Sequence, residues 1–163
     1  MAKGLSVAEE SVSDFFRLSD ASWCVYPYEV RTLAELLPKE VTKKALAQVL
    51  RLRKPPAGSQ LRAKDFYRIC LQDHNLMGLV RREGIQDLFL PLLTYVLAHE
   101  LVHIVRFYKF QHLFDTSPLQ KAAEEKKVYE LTARVLRQIK LPHLERVLNF
   151  YQEHGGAEWC SAS

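Results

Sequence analysis

Two histidines and a glutamate lie together in the segment His99-Glu100-Leu101-Val102-His103. On an α-helix, residues four positions apart lie one turn above each other, so His99 and His103 can direct ring nitrogens at the same metal ion. Glu100 lies beside them, where its carboxylate can accept a proton from a water molecule held by that ion. The spacing therefore predicts a metal site with two histidine ligands and Glu100 as the general base.

The residues that flank this motif are apolar. Between positions 96 and 105, the only charged or ionisable side chains are those of Glu100 and the two histidines. Burying them without partners would cost ~1–3 kcal/mol for each unsatisfied polar group, and more for a charge. Metal ligation would remove this cost, so the pattern favours a metal site. The alternative is a pair of core histidines that ordinary hydrogen bonds satisfy.

A catalytic zinc ion normally has three protein ligands and a fourth position for water, so a third ligand must come from elsewhere in the chain. The histidine of the extended motif would fall at Lys109, which excludes that pattern. His112 lies about 13 Å further along the helix axis than His103, at about 1.5 Å per residue. The remaining candidates are Glu124 and Glu125, on a following helix that folds back against the motif helix.

We favour Glu125 over Glu124 as the third ligand. Glu125 shares a helix face with the apolar stripe of its own helix, which consists of Val128, Tyr129, Thr132, Leu136 and Ile139. In addition, Tyr129 is placed to donate a hydrogen bond to a ligand. Glu124 remains the alternative, as does the interpretation that both glutamates are solvated.

Residues 99–136 resemble the gluzincins, a group of zincin metallopeptidases in which a glutamate on a later helix completes the HExxH site. The resemblance implies one Zn²⁺ ion held by His99, His103 and Glu125. It also implies peptide-bond hydrolysis by a zinc-bound water, with Glu100 as general base and a peptide or protein as substrate. Two positions depart from the gluzincin pattern, because Val128 replaces a small residue and Tyr129 replaces aspartate or asparagine.

The resemblance and the composition together predict one zincin-like domain over residues 1–163. We expect a predominantly helical α+β fold with a motif helix, a glutamate-bearing helix and at most a small sheet. The chain is 48% hydrophobic with a net charge of +4, as in a soluble globular protein. Its N-terminus lacks the apolar segment of a secretory signal, and its three cysteines form no metal or disulfide pattern, so we expect a cytoplasmic protein.

Expectations for the first half of the chain are local. Residues 1–20 are expected to be partly ordered at best, and residues 54–59 to form a loop. The remaining segments are a strand at 23–30, helices at 31–37, 38–52 and 63–72, a strand at 75–80 and a turn at 81–84.

In the second half, Pro91 suits the first turn of a helix that runs through the motif to about residue 112. Ser117, Pro118 and Gln120 predict a capped start for the next helix, which should continue to about residue 140. A last helix is expected from residue 144 to about 154, ended by the glycines at 155 and 156.

Two functions other than peptidase activity are compatible with parts of the sequence. A non-catalytic metal-binding or regulatory module on a zincin scaffold fits the same motif, and the short chain leaves little material for a deep specificity cleft. A helical nucleic-acid-binding protein has only the basic segment around residues 51–54 in its favour, and no recognition motif. We therefore expect neither a nucleic-acid nor a membrane partner. The oligomeric state is left open.

Overall fold

The computed structural model describes residues 1–54, 64–110 and 114–154. It is a mostly helical α+β domain with a small sheet, as the sequence predicted. The elements are α1 (Ala2–Phe16), α2 (Asp20–Val25), β1 (Tyr28–Arg31), β2 (Ala47–Lys54), β3 (Lys64–Leu71), α3 (Asp73–Arg82), α4 (Phe89–Lys109), α5 (Pro118–Leu136) and α6 (Leu144–His154). Short 3₁₀ turns lie at Leu33–Glu35, Pro38–Glu40 and Gln86–Leu88.

Helix α4 is the centre of the fold and carries the histidine motif. It packs against α1, α3, α5, α6 and strand β2. Every residue from Pro91 to Val105 is buried, because the helix carries apolar side chains on nearly all sides. The motif histidines therefore lie in the interior.

Helix α1 corrects the expectation that residues 1–20 are only partly ordered. Its buried residues Gly4, Ala8, Ser11 and Val12 follow the helical period. They are small, and a Cβ atom on Gly4 would meet Leu93 at 3.0 Å, so the two helices approach closely. The polar composition of the segment concealed this stripe of small residues.

The sheet overturns the two helices expected at 38–52 and 63–72. Strands β2 and β3 pair antiparallel, with Ala47 opposite Leu71, and β1 pairs parallel on the other side of β3. Short apolar runs fit a helix and a strand about equally well, and only the pairing partner decides between them. The loop expected at 54–59 lies, beyond residue 54, outside the described residues.

Three further expectations in the first half were wrong. Residues 75–80 belong to helix α3, whose buried Leu76, Leu79 and Val80 have helical spacing. The predicted strand at 23–30 is helix α2 followed by β1, and the break falls where Pro27 disfavours helical geometry at the preceding residue. The predicted helix at 31–37 is only a 3₁₀ turn, and Leu37 is extended before Pro38.

The helices of the second half were predicted well. Helix α5 begins at Pro118, and the Ser117 hydroxyl accepts a hydrogen bond from the Gln120 backbone, as the capping pattern indicated. It ends at Leu136 rather than near residue 140. Helix α4 ends at Lys109, slightly before the expected residue 112, and α6 begins at Leu144.

One segment, Gln86–Lys109, is long and apolar enough to cross a membrane by length and composition. In the fold, 89% of its most apolar window is buried by the rest of the chain. The central helix of a soluble domain meets the same criteria, so the segment is a core helix here.

Candidate metal centre

Four aromatic rings follow one face of α4 at intervals of one helical turn. Tyr95 stacks near His99 with ring centroids 6.3 Å apart, and His99 meets His103 edge to face at 4.9 Å. His103 in turn stacks on Phe107 at 5.5 Å. The two imidazoles therefore share one face of the helix, between two larger aromatic side chains.

Helix α5 brings Glu125 to this face. It runs antiparallel to α4. His99 contacts Tyr129, whereas Arg106, later on α4, contacts Glu124, which is earlier on α5. One carboxylate oxygen of Glu125 lies 3.0 Å from Nε2 of His103, and the other lies 3.4 Å from Nε2 of His99. The structure thus brings together His99, His103 and Glu125, the three ligands that the sequence predicted.

The three side chains are close enough to share one metal ion. One potential ligand atom from each residue lies within 4.8 Å of the other two. Ligand atoms around a tetrahedral zinc ion lie about 3.3 Å apart, at zinc–ligand distances of about 2.0–2.1 Å, a spacing compatible with this limit. His99 is fully buried, and neither of its nitrogens makes a well-aligned hydrogen bond to any described residue. Such buried, unsatisfied nitrogens are what a metal ligand offers before the ion binds.

For both imidazoles, burial lowers the pKa and the Glu125 carboxylate raises it. Burial lowers the pKa of His99, and the nearby Glu125 only partly opposes this. Burial also disfavours charged His103, but its hydrogen bond and attraction to Glu125 outweigh that and raise the pKa. Burial by itself would raise the pKa of Glu125, yet its contacts with His103 and His99 hold it well below the usual range. The carboxylate is therefore ionised at neutral pH, as a ligand must be.

Glu100 is buried next to this group, with 2% of its surface exposed. Its Oε1 atom has no hydrogen-bond partner among the described residues. Burial raises the pKa of Glu100 to about 8, with a smaller opposing influence from His103. A cation bound nearby would favour the ionised form and lower that pKa.

The alternative ligand, Glu124, is engaged elsewhere. Both of its carboxylate oxygens accept hydrogen bonds from the Arg106 guanidinium group. Glu130 is exposed on α5, and His112 lies outside the described residues. Within the described part of the chain, Glu125 is thus the one carboxylate grouped with the two histidines.

Comparisons with known protein families, curated proteins and solved structures find no match for this chain. Its chemistry is therefore judged from its own residues. Two imidazole nitrogens and a carboxylate oxygen make a donor set that suits Zn²⁺, and the same set also binds Fe²⁺ in other proteins. With an adjacent buried carboxylate, the group has the components for metal-assisted hydrolysis.

Sequence reasoning missed two features of the site. Tyr95, Tyr129 and Tyr151 form a cluster beside His99, in which the rings of Tyr95 and Tyr151 stack at 4.1 Å. Tyr95 precedes His99 by one helical turn, which was a usable signal, whereas Tyr151 comes from a distant helix. Tyr129 packs edge-on against His99, with ring centroids 5.4 Å apart. The second missed feature is Arg106, which donates hydrogen bonds to both carboxylate oxygens of Glu124.

Proposed function

We propose that this protein is a zinc-dependent metallopeptidase of the zincin type, similar to the gluzincins, which hydrolyses peptide bonds. The observation that carries the proposal is the convergence of His99, His103 and Glu125, with their ligand atoms within 4.8 Å of one another. Glu100 lies beside them in the same buried region. This combination has the ligands and the base that such hydrolysis requires.

In this proposal, His99 and His103 bind the metal through Nε2, the atoms that face Glu125. Glu125 supplies the third ligand and a negative charge that offsets that of the cation. A bound zinc ion would polarise the peptide carbonyl and lower the pKa of a water molecule to ~7.

The role of Glu100 is proton transfer. Its carboxylate has an oxygen without a hydrogen bond to any described residue, so it can accept a proton from the attacking water. The same group can then deliver that proton to the leaving amine. The low polarity around Glu100, which raises its pKa in the metal-free chain, also strengthens its interactions with charge in the site.

Strand β2 is our candidate for binding the substrate backbone. Residues 75–80, which were expected to form a strand, are helical and offer no strand edge. In the described sheet, β2 is an edge strand antiparallel to its neighbour, and it packs against α4. An extended peptide could add to its free edge through backbone hydrogen bonds, as zincins bind substrates.

We further propose a cytoplasmic protein without membrane or nucleic-acid partners. Burial of the apolar helix α4 in the core argues against a membrane-spanning role for it. One observation favours the alternative of a non-catalytic metal-binding or regulatory module. His99 is inaccessible, and even the Glu125 side chain is only 23% exposed, so a bulky substrate would require the site to open.

Metal content and cleavage distinguish these functions. The wild-type chain, purified without chelators, should contain about one zinc ion per molecule by elemental analysis, and His103→Ala should contain none. Glu100→Gln should retain the metal and lose at least a hundredfold in peptide-cleavage rate, within the range of general-base contributions of about 10²–10⁴.

Three other results of these measurements would contradict the proposed function or favour an alternative to it. Undiminished cleavage by Glu100→Gln would refute the mechanism. A wild-type protein that binds zinc but cleaves no member of a peptide library would support the regulatory module. Wild-type chain that remains metal-free would mean that His99 and His103 are ordinary core residues.

A further inference from the structure

A largely buried ion pair joins the two helices that carry the proposed ligands. Arg106 of α4 donates through Nε and Nη2 to the two carboxylate oxygens of Glu124 on α5, the second bond measuring 2.9 Å. The two side chains are 17% and 9% exposed. A two-point contact between a planar guanidinium and a carboxylate determines orientation as well as distance.

The pair lies next to the ligands on both helices. Arg106 follows His103 by three residues, so it lies about one turn further along α4. Glu124 directly precedes Glu125. Since each residue turns a helix by about 100°, a slip of α5 by one position would carry Glu125 away from the histidines. An oriented contact at the neighbouring residue opposes such a slip.

The pair also keeps a second carboxylate out of the site. Glu124 and Glu125 are adjacent acidic residues near two imidazoles, and either has the chemistry to bind zinc. Both oxygens of Glu124 accept hydrogen bonds from Arg106, and of the two glutamates it is Glu125 that is grouped with the histidines. The guanidinium also compensates the charge of the buried Glu124, and leaving that charge unpaired would be costly.

We propose that Arg106 and Glu124 are positioning residues, which set α5 against α4 so that Glu125, and not Glu124, completes the metal site. The inference rests on the proposed function, because it assigns these residues a role toward the metal ligands. It goes further in assigning a positioning role at the metal site to two residues that are not proposed as ligands.

The test is a titration with Co²⁺, whose visible absorption reports both affinity and the geometry of its ligands. Arg106→Gln and Glu124→Gln should each bind Co²⁺ about 10- to 100-fold more weakly than the wild type. This is the size of effect typical of removing a residue that orients a metal ligand. Arg106→Gln should also alter the absorption spectrum, because Glu124 is released. The exchanged double variant Arg106→Glu/Glu124→Arg should recover most of the affinity.

A matched control separates positioning from stability. Val135→Ala removes buried volume from the same helix, ten residues beyond Glu125, without touching the ion pair. It should lower the melting temperature and leave the Co²⁺ affinity and spectrum unchanged. All titrations are run at a temperature where circular dichroism shows each variant to be folded.

The outcomes distinguish a failure of the positioning role from a failure of the metal site. If the wild type binds Co²⁺ and both single variants bind it equally well with the same spectrum, the positioning role is wrong while the metal site stands. Equal weakening in Val135→Ala would likewise overturn it, because general destabilisation would explain the loss. A wild type that binds no Co²⁺ would overturn the proposed function and, with it, the inference.

Discussion

Two buried glutamates differ in the hydrogen bonds that surround them. Glu40 accepts one from the Leu37 backbone at 2.9 Å and one from Arg68 at 2.7 Å. These contacts, the backbone bond first, lower its pKa despite burial. Glu100 has an oxygen without a partner among the described residues, and burial raises its pKa to about 8. Glu40 is therefore expected to stabilise the fold as an anion, whereas Glu100 keeps the free oxygen that its proposed role in proton transfer requires.

Replacing Glu40 with Gln should destabilise the protein at neutral pH by about 1–3 kcal/mol, because charged hydrogen bonds to Arg68 and the Leu37 backbone are weakened. The folded pKa of Glu40 lies below its unfolded value of about 4.3. Its stabilising effect is therefore fully present above that pH and is lost as pH falls through the folded pKa. Urea denaturation between pH 3 and 7 measures the difference.

The difference in unfolding free energy between wild type and Glu40→Gln should accordingly be constant from pH 7 to about 5 and shrink below pH ~4. Glu35→Gln is a suitable control, since Glu35 is exposed and caps its own short 3₁₀ turn. A difference that stays the same down to pH 3 would show that the charge of Glu40 does not stabilise the fold.

Among the elements, those with local signals could be predicted and those that depend on pairing could not. The start of α5 follows from Ser117 and Pro118, which act within one turn of chain. Strands β2 and β3 stabilise each other, and residues such as Leu50 and Leu52 fit either structure until that partner is known. The pairing of β2 with β3, rather than any local signal, therefore determines that these residues form strands.

The same limit applies to the candidate site. His99, Glu100 and His103 could be proposed from one helix, because their relation depends only on the helical period. The choice between Glu124 and Glu125 depends on the rotation of α5 about its axis. Arg106 contacts Glu124 across the helix interface, and nothing local in the sequence specifies that contact.

Helix α1 supplies a prediction about packing between elements. Ala8 is completely buried against the core, so Ala8→Glu would insert both volume and a charge into a closely packed interface. The expected loss exceeds about 3 kcal/mol, since overpacking and an unpaired buried charge act together. Chemical denaturation measures it, with Glu10→Gln on the exposed face as a control expected within about 0.5 kcal/mol of wild type. If Ala8→Glu were equally mild, α1 would not be docked on α4.

For the whole molecule, α4 makes the proposed metal site and the core interdependent. The helix packs against four other helices and the sheet, and it also presents His99 and His103. Glu125 comes from α5, so an ion bound to all three residues would link α4 to the helix that follows it in the chain. Such an ion binds the folded chain in preference to the unfolded one and must stabilise the entire domain.

Zinc should therefore raise the melting temperature of the chelator-treated protein. At a free concentration one hundred times the dissociation constant, the gain is about 2.7 kcal/mol. For a chain of this size, each kcal/mol shifts the melting temperature by about 2–4 °C, so the expected rise is roughly 5–10 °C. Differential scanning calorimetry measures it, with His103→Ala expected to show no rise because one imidazole ligand is gone. An equal rise in that variant would mean that zinc stabilises the chain from another location, since the α4–α5 site would then lack a ligand.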